Sequence, residues 1–182
     1  MIRYSEIEKL MPLSSYEVNM PLNYIEKWLE DSKEYYGLEL NPDFQRGNVW
    51  TEEQQIAYIE FILRGGKTAN VIYFNCPDFS MGSCERISNR DKLPMQCLDG
   101  LQRLTAIRKF MNNKLPVFGG NYLDNFEDKK IMLRKFNLLK FNVNNLQTRK
   151  DILKWYIDYN SAGTYHTKEE IDRVKKLLEE CK

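Results

Sequence analysis

Histidine occurs once in these 182 residues, at His166. Two-histidine metal motifs are therefore excluded: neither the metal-and-base arrangement of a His-Asn-His nuclease nor a His-Glu-x-x-His protease site can be assembled from this chain. Cysteine is scarce too. Cys76, Cys84, Cys97 and Cys181 include no Cys-x-x-Cys pair, and the first three lack the spacing of a zinc knuckle, so reduced thiols are expected. No apolar run approaches the ~18 residues of a membrane span, and Met1 to Leu10 lacks the basic-then-apolar layout of a signal peptide. The expectation is a cytoplasmic chain with no membrane partner. An excess of one charge sign is missing as well: 27 Lys plus Arg against 26 Asp plus Glu leave +1, which argues against strong non-specific DNA affinity. Nor is there a repeat, a low-complexity stretch or a Pro/Gly/Ser-rich linker to mark a domain boundary.

What is present suffices for one core. Hydrophobic residues make up 42% and aromatics 13%, and a chain of this length buries well over half its unfolded surface, so residues 1–182 read as a single domain. Charge is unevenly placed. Residues 1–40 hold four basic and eight acidic side chains, whereas residues 127–154 hold eight basic and three acidic. Lys129, Lys130, Arg134 and Lys135, followed by Lys140, Arg149, Lys150 and Lys154 and interleaved with Phe136, Phe141 and Trp155, form either a nucleic-acid face or a merely solvated one.

Hydrophobic spacing divides the chain into helices and short strands. Asn19 ahead of Met20 and Pro21 reads as a helix start, with Leu22, Ile25, Trp28 and Leu29 on one face and Gly37 as the stop. Thr51-Glu52-Glu53-Gln54 is a capping box opening a helix over about 52–64, ended by Gly65-Gly66. Asn70 to Phe74 and Met95 to Leu98 read as short buried strands around a loop over 76–92. From Asp99-Gly100 the chain turns into a helix carrying Leu101, Leu104, Ile107 and Met111. Residues 116–126 read as a loop, 127–136 as a weak charged helix or irregular segment, and Leu138 to Val143 as a strand. Thr148 caps a helix through Tyr159 that Gly163 stops, and Thr167-Lys168-Glu169-Glu170 opens a last helix over about 168–181. The fold class is mixed α/β (α+β), with its core over about 16–165.

Three polar signatures stand at element boundaries. In Phe44-Gln45-Arg46-Gly47-Asn48-Val49-Trp50, Arg46 offers a planar donor fork for phosphate or carboxylate and Gln45 an orienting amide; the alternative is an arginine bonded to loop carbonyls. In Asp99-Gly100-Leu101-Gln102-Arg103, a helix N-terminus presents free amides and a partial positive charge, so an anion held there can also be clasped by Gln102 and Arg103. Asp99 there either caps the helix, binds a metal ion or acts as a general base. No Walker A pattern occurs. In Tyr159-Asn160-Ser161-Ala162-Gly163-Thr164, the polar side chains either bond the backbone of a Gly163 turn or contact a ligand.

In their order and separations, Phe44-Gln45-Arg46 with Trp50, then Asp99-Gly100-Leu101-Gln102-Arg103-Leu104-Thr105, then Ile157 to Thr164 ahead of an acidic helix resemble one family. The chain resembles, from about Tyr16 to Leu178, the N-terminal domain of GmrSD-type modification-dependent restriction endonucleases, whose fold is similar to ParB and sulfiredoxin. The resemblance implies a compact ParB/sulfiredoxin-like domain with additional helices that binds a nucleoside triphosphate and, in several members, hydrolyses it to regulate or power a nuclease. It implies that Asp99, Gln102 and Arg103 are catalytic, that Gln45, Arg46, Gly100, Arg103, Thr105 and Asn160 contact the nucleotide, and that Mg²⁺ sits at Asp99. Two residues depart from the family: Leu101 stands where a second glutamine is common, and His166 where an apolar residue is.

The leading expectation is a stand-alone nucleotide-binding domain, an NTPase or phosphotransferase, with a separate nuclease or restriction subunit as partner and without its own His-Asn-His nuclease. Its alternative is a non-enzymatic, phage-encoded DNA-binding or partner-binding module, a decoy or inhibitor, presenting the basic 127–154 face. A homo-oligomer is compatible with either.

Overall fold

The computed structural model of the protein describes residues 3–7, 16–47, 49–77, 79, 93–135, 139–161 and 168–181. Most of the expected 76–92 loop, Asn48, Cys84, Phe136, Leu138, Gly163, Thr164, His166 and Thr167 lie outside them, as do the side chains of Arg134 and Lys135. Strand β1 is Tyr16–Met20 and helix α1 Ile25–Tyr36; α2 is Glu52–Leu63, β2 Val71–Asn75, β3 Gln96–Asp99 and α3 Leu101–Met111. The short α4 is Lys129–Lys135, β4 is Leu139–Asn144, α5 Arg149–Ser161 and α6 Lys168–Glu180. The protein is thus mixed α/β. Among the described residues, no helix is long and apolar enough to cross a membrane.

The helix expected to start at Asn19 begins later. Residues 16–20 are a strand instead, and α1 opens at Ile25 after a single 3-10 turn over Leu22–Tyr24. Pro21 explains where the strand stops, because it has no N–H to extend a ladder and its φ of −64° suits the entry to the turn. Met20 meanwhile is buried by pairing β1 with β4, and that burial outweighs the local helix signal. At its other end α1 stops as expected: Gly37 takes the left-handed conformation at φ 63° and returns its N–H to Lys33 and Ser32. The α2 capping box also forms, with Thr51 Oγ1 accepting from the Gln54 N–H and Gln54 Oε1 accepting from the Thr51 N–H.

The strands form one sheet in the order β1-β4-β2-β3, antiparallel at β1/β4 and β2/β3 and parallel at β4/β2. Helices cover both faces. On one face Ile72, Phe74, Phe141 and Val143 join Ile25, Tyr58, Ile59, Ile62, Leu104 and Ile107 in the larger core. There Trp28 of α1 wedges against Phe74 and Phe141 at centroid distances of 4.9 and 4.8 Å. Side chains buried this completely contribute about 1.5–3 kcal/mol each before chain entropy is counted. On the other face, a smaller core joins Phe44 and Leu98 to Trp155, Tyr156 and Val174 of α5 and α6. The junction between β3 and α3 lies where these two cores meet.

Candidate functional site

The turn from β3 into α3 is made by Gly100, which is the N-cap at φ 98° and supplies no side-chain cap. Asp99 therefore does not cap the helix. Its carboxylate instead accepts a hydrogen bond from the Arg103 guanidinium one helical turn on, with the two side chains 24% and 15% exposed. Because Gly100 is left-handed, Asp99 stays on the strand while Arg103 reaches back over the helix end, and both charges stand beside the free amides of α3.

Gln102 points to the neighbouring loop. Its Oε1 accepts from the N–H groups of Val49 at 2.9 Å and Trp50 at 3.1 Å, and its Nε2 donates to the Gly47 carbonyl. Gln45 ties the same loop to β3, donating to the carbonyls of Cys97 at 3.1 Å and Leu98 at 2.7 Å. Arg46 donates to both carboxylate oxygens of Glu170 at 3.1 and 3.2 Å. The loop-carbonyl role considered for Arg46 belongs to Arg173, which donates to the carbonyls of Asp43, Phe44 and Gln45. Arg149 adds an ion pair to Asp43 at 2.6 Å. The 43–50 loop is thus strapped between α6 on one side and the β3–α3 junction on the other.

The remaining expected contacts are spent locally. Thr105 Oγ1 donates to the Leu101 carbonyl at 2.8 Å, and the buried Asn160 donates to the Tyr156 carbonyl at 2.8 Å, each within its own helix. Leu101 is buried in the larger core. Of the basic run, Lys129 pairs with Asp124, Lys140 with Glu17 and Arg149 with Asp43, while Lys130 is exposed. Asp99 belongs to no group of three or more metal-ligating side chains among the described residues.

Aromatic rings flank the Asp99–Arg103 pair. Tyr73 lies opposite Asp99 in the β2/β3 register, and its ring packs on Tyr159 at 4.9 Å and on Trp155 at 5.4 Å; Trp155 and Tyr159 stack at 4.7 Å with planes 9° apart. Burial pushes the Tyr156 phenol up to about 12, with Asp99 and Glu170 adding and Arg46 and Arg173 opposing. Tyr159 is raised by burial, then by Asp99 and Tyr73. Tyr58 is pushed up to about 12 by burial against an opposing Arg103. Burial and then Asp99 hold the Cys97 thiol far above the ordinary range, so it stays protonated. Glu170, Arg173 and Tyr73 escaped the sequence reading, since their partners are remote in the chain. The sequence signal that was available is Asn142 and Asn144, alternating with Phe141 and Val143 in a buried strand.

An alkaline transition follows from these phenols. Tyr58 and Tyr156 stay protonated in the folded chain to about 12, whereas in the unfolded chain they ionise near 10.0. The unfolded state therefore binds fewer protons between these values, and stability falls as pH rises through that window. Phenolate absorbance and thermal melts recorded together should show Tyr58, Tyr156 and Tyr159 ionising late, with the melting temperature declining from pH 10 upward; a flat melting temperature would contradict it.

Compared with known proteins, residues 25–176 match a family model described as GmrSD restriction endonuclease, N-terminal domain. No curated protein and no solved structure matches the chain.

Proposed function

Since the chain belongs to the GmrSD restriction endonuclease N-terminal domain family, we propose that it binds a nucleoside triphosphate at the β3–α3 junction and hydrolyses it as part of a restriction system, with a nuclease subunit as its effector. The observation that carries this reading is the placement of Arg103 at the open N-terminus of α3, beside Asp99 and within a loop cage that brings Arg46 to the same side of the molecule. Backbone amides, helix dipole and guanidinium there favour one kind of ligand, a multiply charged anion.

Each arginine is balanced by a carboxylate, Arg103 by Asp99 and Arg46 by Glu170. A phosphate reaching either must displace that carboxylate or share a cation with it. One protein carboxylate completed by phosphate oxygens and waters is an ordinary Mg²⁺ arrangement, so the donor set fits, and Asp99 is the residue that would hold the ion. Bound there, the ion would neutralise phosphate charge. Arg103 stabilises charge on the transferring group, while Gln102 keeps the 47–50 loop in place against the helix end. In this structure both ends of the Gln102 amide are committed to that loop, so positioning is its role here and orienting water would require the loop to open. The basic-face alternative is ranked second because Lys129, Lys140 and Arg149 each have an acidic partner.

A thermal-shift screen of ATP, GTP, CTP, UTP and deoxynucleotides with and without Mg²⁺ tests the reading. A ligand at a hundredfold its dissociation constant adds ~2.7 kcal/mol of stability. The expected result is a shift for triphosphates, with Asp99→Asn retaining binding and losing Mg²⁺-dependent phosphate release in a turnover assay. No shift with any nucleotide overturns it.

A further inference from the structure

Across the sheet, Glu17 of β1, Asn142 of β4, Tyr73 of β2 and Asp99 of β3 are successive cross-strand partners. Partners across the β1/β4 and β4/β2 ladders share a face, and although the β2/β3 ladder bulges at Tyr73/Phe74, Asp99 comes to the end of this row, where its charge acts on Tyr159 beside Tyr73. Asn142 is only 4% exposed, yet among the described residues its Oδ1 has no hydrogen-bond partner. Its Nδ2 donates to Glu17 Oε1 at 3.1 Å, which fixes the amide orientation, because a flipped amide would set two acceptors against each other. A buried acceptor left unmet lowers stability. Between it and Asp99 stands Tyr73, partly buried and packed on Tyr159, which is itself stacked on Trp155. Asn142 lies two strands from Asp99, roughly 10 Å at the usual strand spacing.

We propose that this row is the subsite for the nucleoside: with phosphates at Arg103 and Asp99, the ligand crosses β2 against the Tyr73–Tyr159 rings and delivers a hydrogen-bond donor to Asn142 Oδ1. The donor is an exocyclic amino group of the base or a ribose hydroxyl, the same chemistry from two parts of one molecule. This rests on the nucleotide reading above, and adds to it the residue that selects among nucleotides.

Calorimetric titration of the full chain with Mg²⁺ and tripolyphosphate, CTP, UTP, dCTP, ATP and inosine triphosphate tests it, in wild type and in Asn142→Leu. If the donor is the amino group, CTP binds at least tenfold tighter than UTP, or ATP than inosine triphosphate. If it is the ribose hydroxyl, CTP exceeds dCTP instead. In either case Asn142→Leu erases the preference and leaves tripolyphosphate affinity unchanged, and its ligand-free melting temperature stays within a few degrees of wild type, since removal of the unmet acceptor offsets the lost bond to Glu17. Asn142→Ala carries the same comparison if the leucine variant does not fold, and Tyr159→Leu should weaken nucleotides but not tripolyphosphate. A preference that survives Asn142→Leu, or no preference in wild type, overturns the subsite while tripolyphosphate binding leaves the phosphate site standing. Absence of binding by every phosphate compound overturns both.

Discussion

Gly100→Ala is expected to lower the melting temperature by roughly 6–12 °C, the largest stability loss of any single substitution at the junction. Two costs add. At φ 98° the backbone is left-handed, which costs an alanine about 1–2 kcal/mol. The new Cβ would also stand 2.5 Å from Ile72 Cδ1 and 3.2 Å from its Cγ2. Ile72 is fully buried in the second strand among Phe74, Phe141 and the helices of the larger core, so it has no room to retreat, and overpacking of this kind costs about 1–3 kcal/mol. A sum near 3 kcal/mol becomes the stated shift at ~2–4 °C per kcal/mol for a chain of this length. Ile72→Val removes the colliding Cδ1 atom. In that background Gly100→Ala should cost visibly less than in wild type, and equal losses in both backgrounds would show that the backbone strain acts alone.

The position of Gly100 was legible in the sequence, but its neighbours' roles were only partly so. Local signals carried far: the Thr51 to Gln54 capping box, the Gly37 stop and the β-branched and aromatic run at 70–74 all mark real elements, because each acts over three to five residues. β1 failed for a local reason. Five residues with one buried side chain cannot outvote the Asn-Met-Pro pattern that overlaps them, and its partner β4 lies more than a hundred residues away. The Asp99 and Arg103 side chains were identified as a site, yet whether Asp99 caps or pairs depends on the left-handed Gly100, which is a conformation and not a composition. Arg46–Glu170 and Arg173 with the 43–45 carbonyls join positions over 120 residues apart. Sequence shows the charges there but not who faces whom. The Glu17–Asn142–Tyr73–Asp99 row is further removed still, since it exists only once the register of three strand pairs is fixed.

Arg103→Ala should abolish triphosphate binding and separately cost about 1–3 kcal/mol of stability, the lower part of the range for broken charge pairs because Arg103 and Asp99 are 15% and 24% exposed. These losses have different causes, and a double mutant separates them. Without Arg103, the Asp99 carboxylate keeps its half-shielded position and loses its cation, so the folded state is penalised for an unpaired charge. Asp99→Ala together with Arg103→Ala removes that penalty and should recover most of the melting temperature. It cannot restore binding if the guanidinium is what grips phosphate, since losing two charge-assisted hydrogen bonds costs roughly 3 kcal/mol or more, about a hundredfold in affinity. Arg103→Lys should fall between, keeping the charge but losing the fork. Were Arg103 only the structural partner of Asp99, the double mutant would bind triphosphate as well as Asp99→Ala alone does. A double mutant that melts like wild type but shows no triphosphate shift, where Asp99→Ala alone keeps one, therefore assigns Arg103 to the ligand, and makes its bond to Asp99 the resting arrangement of a site that ligand and cation reorganise.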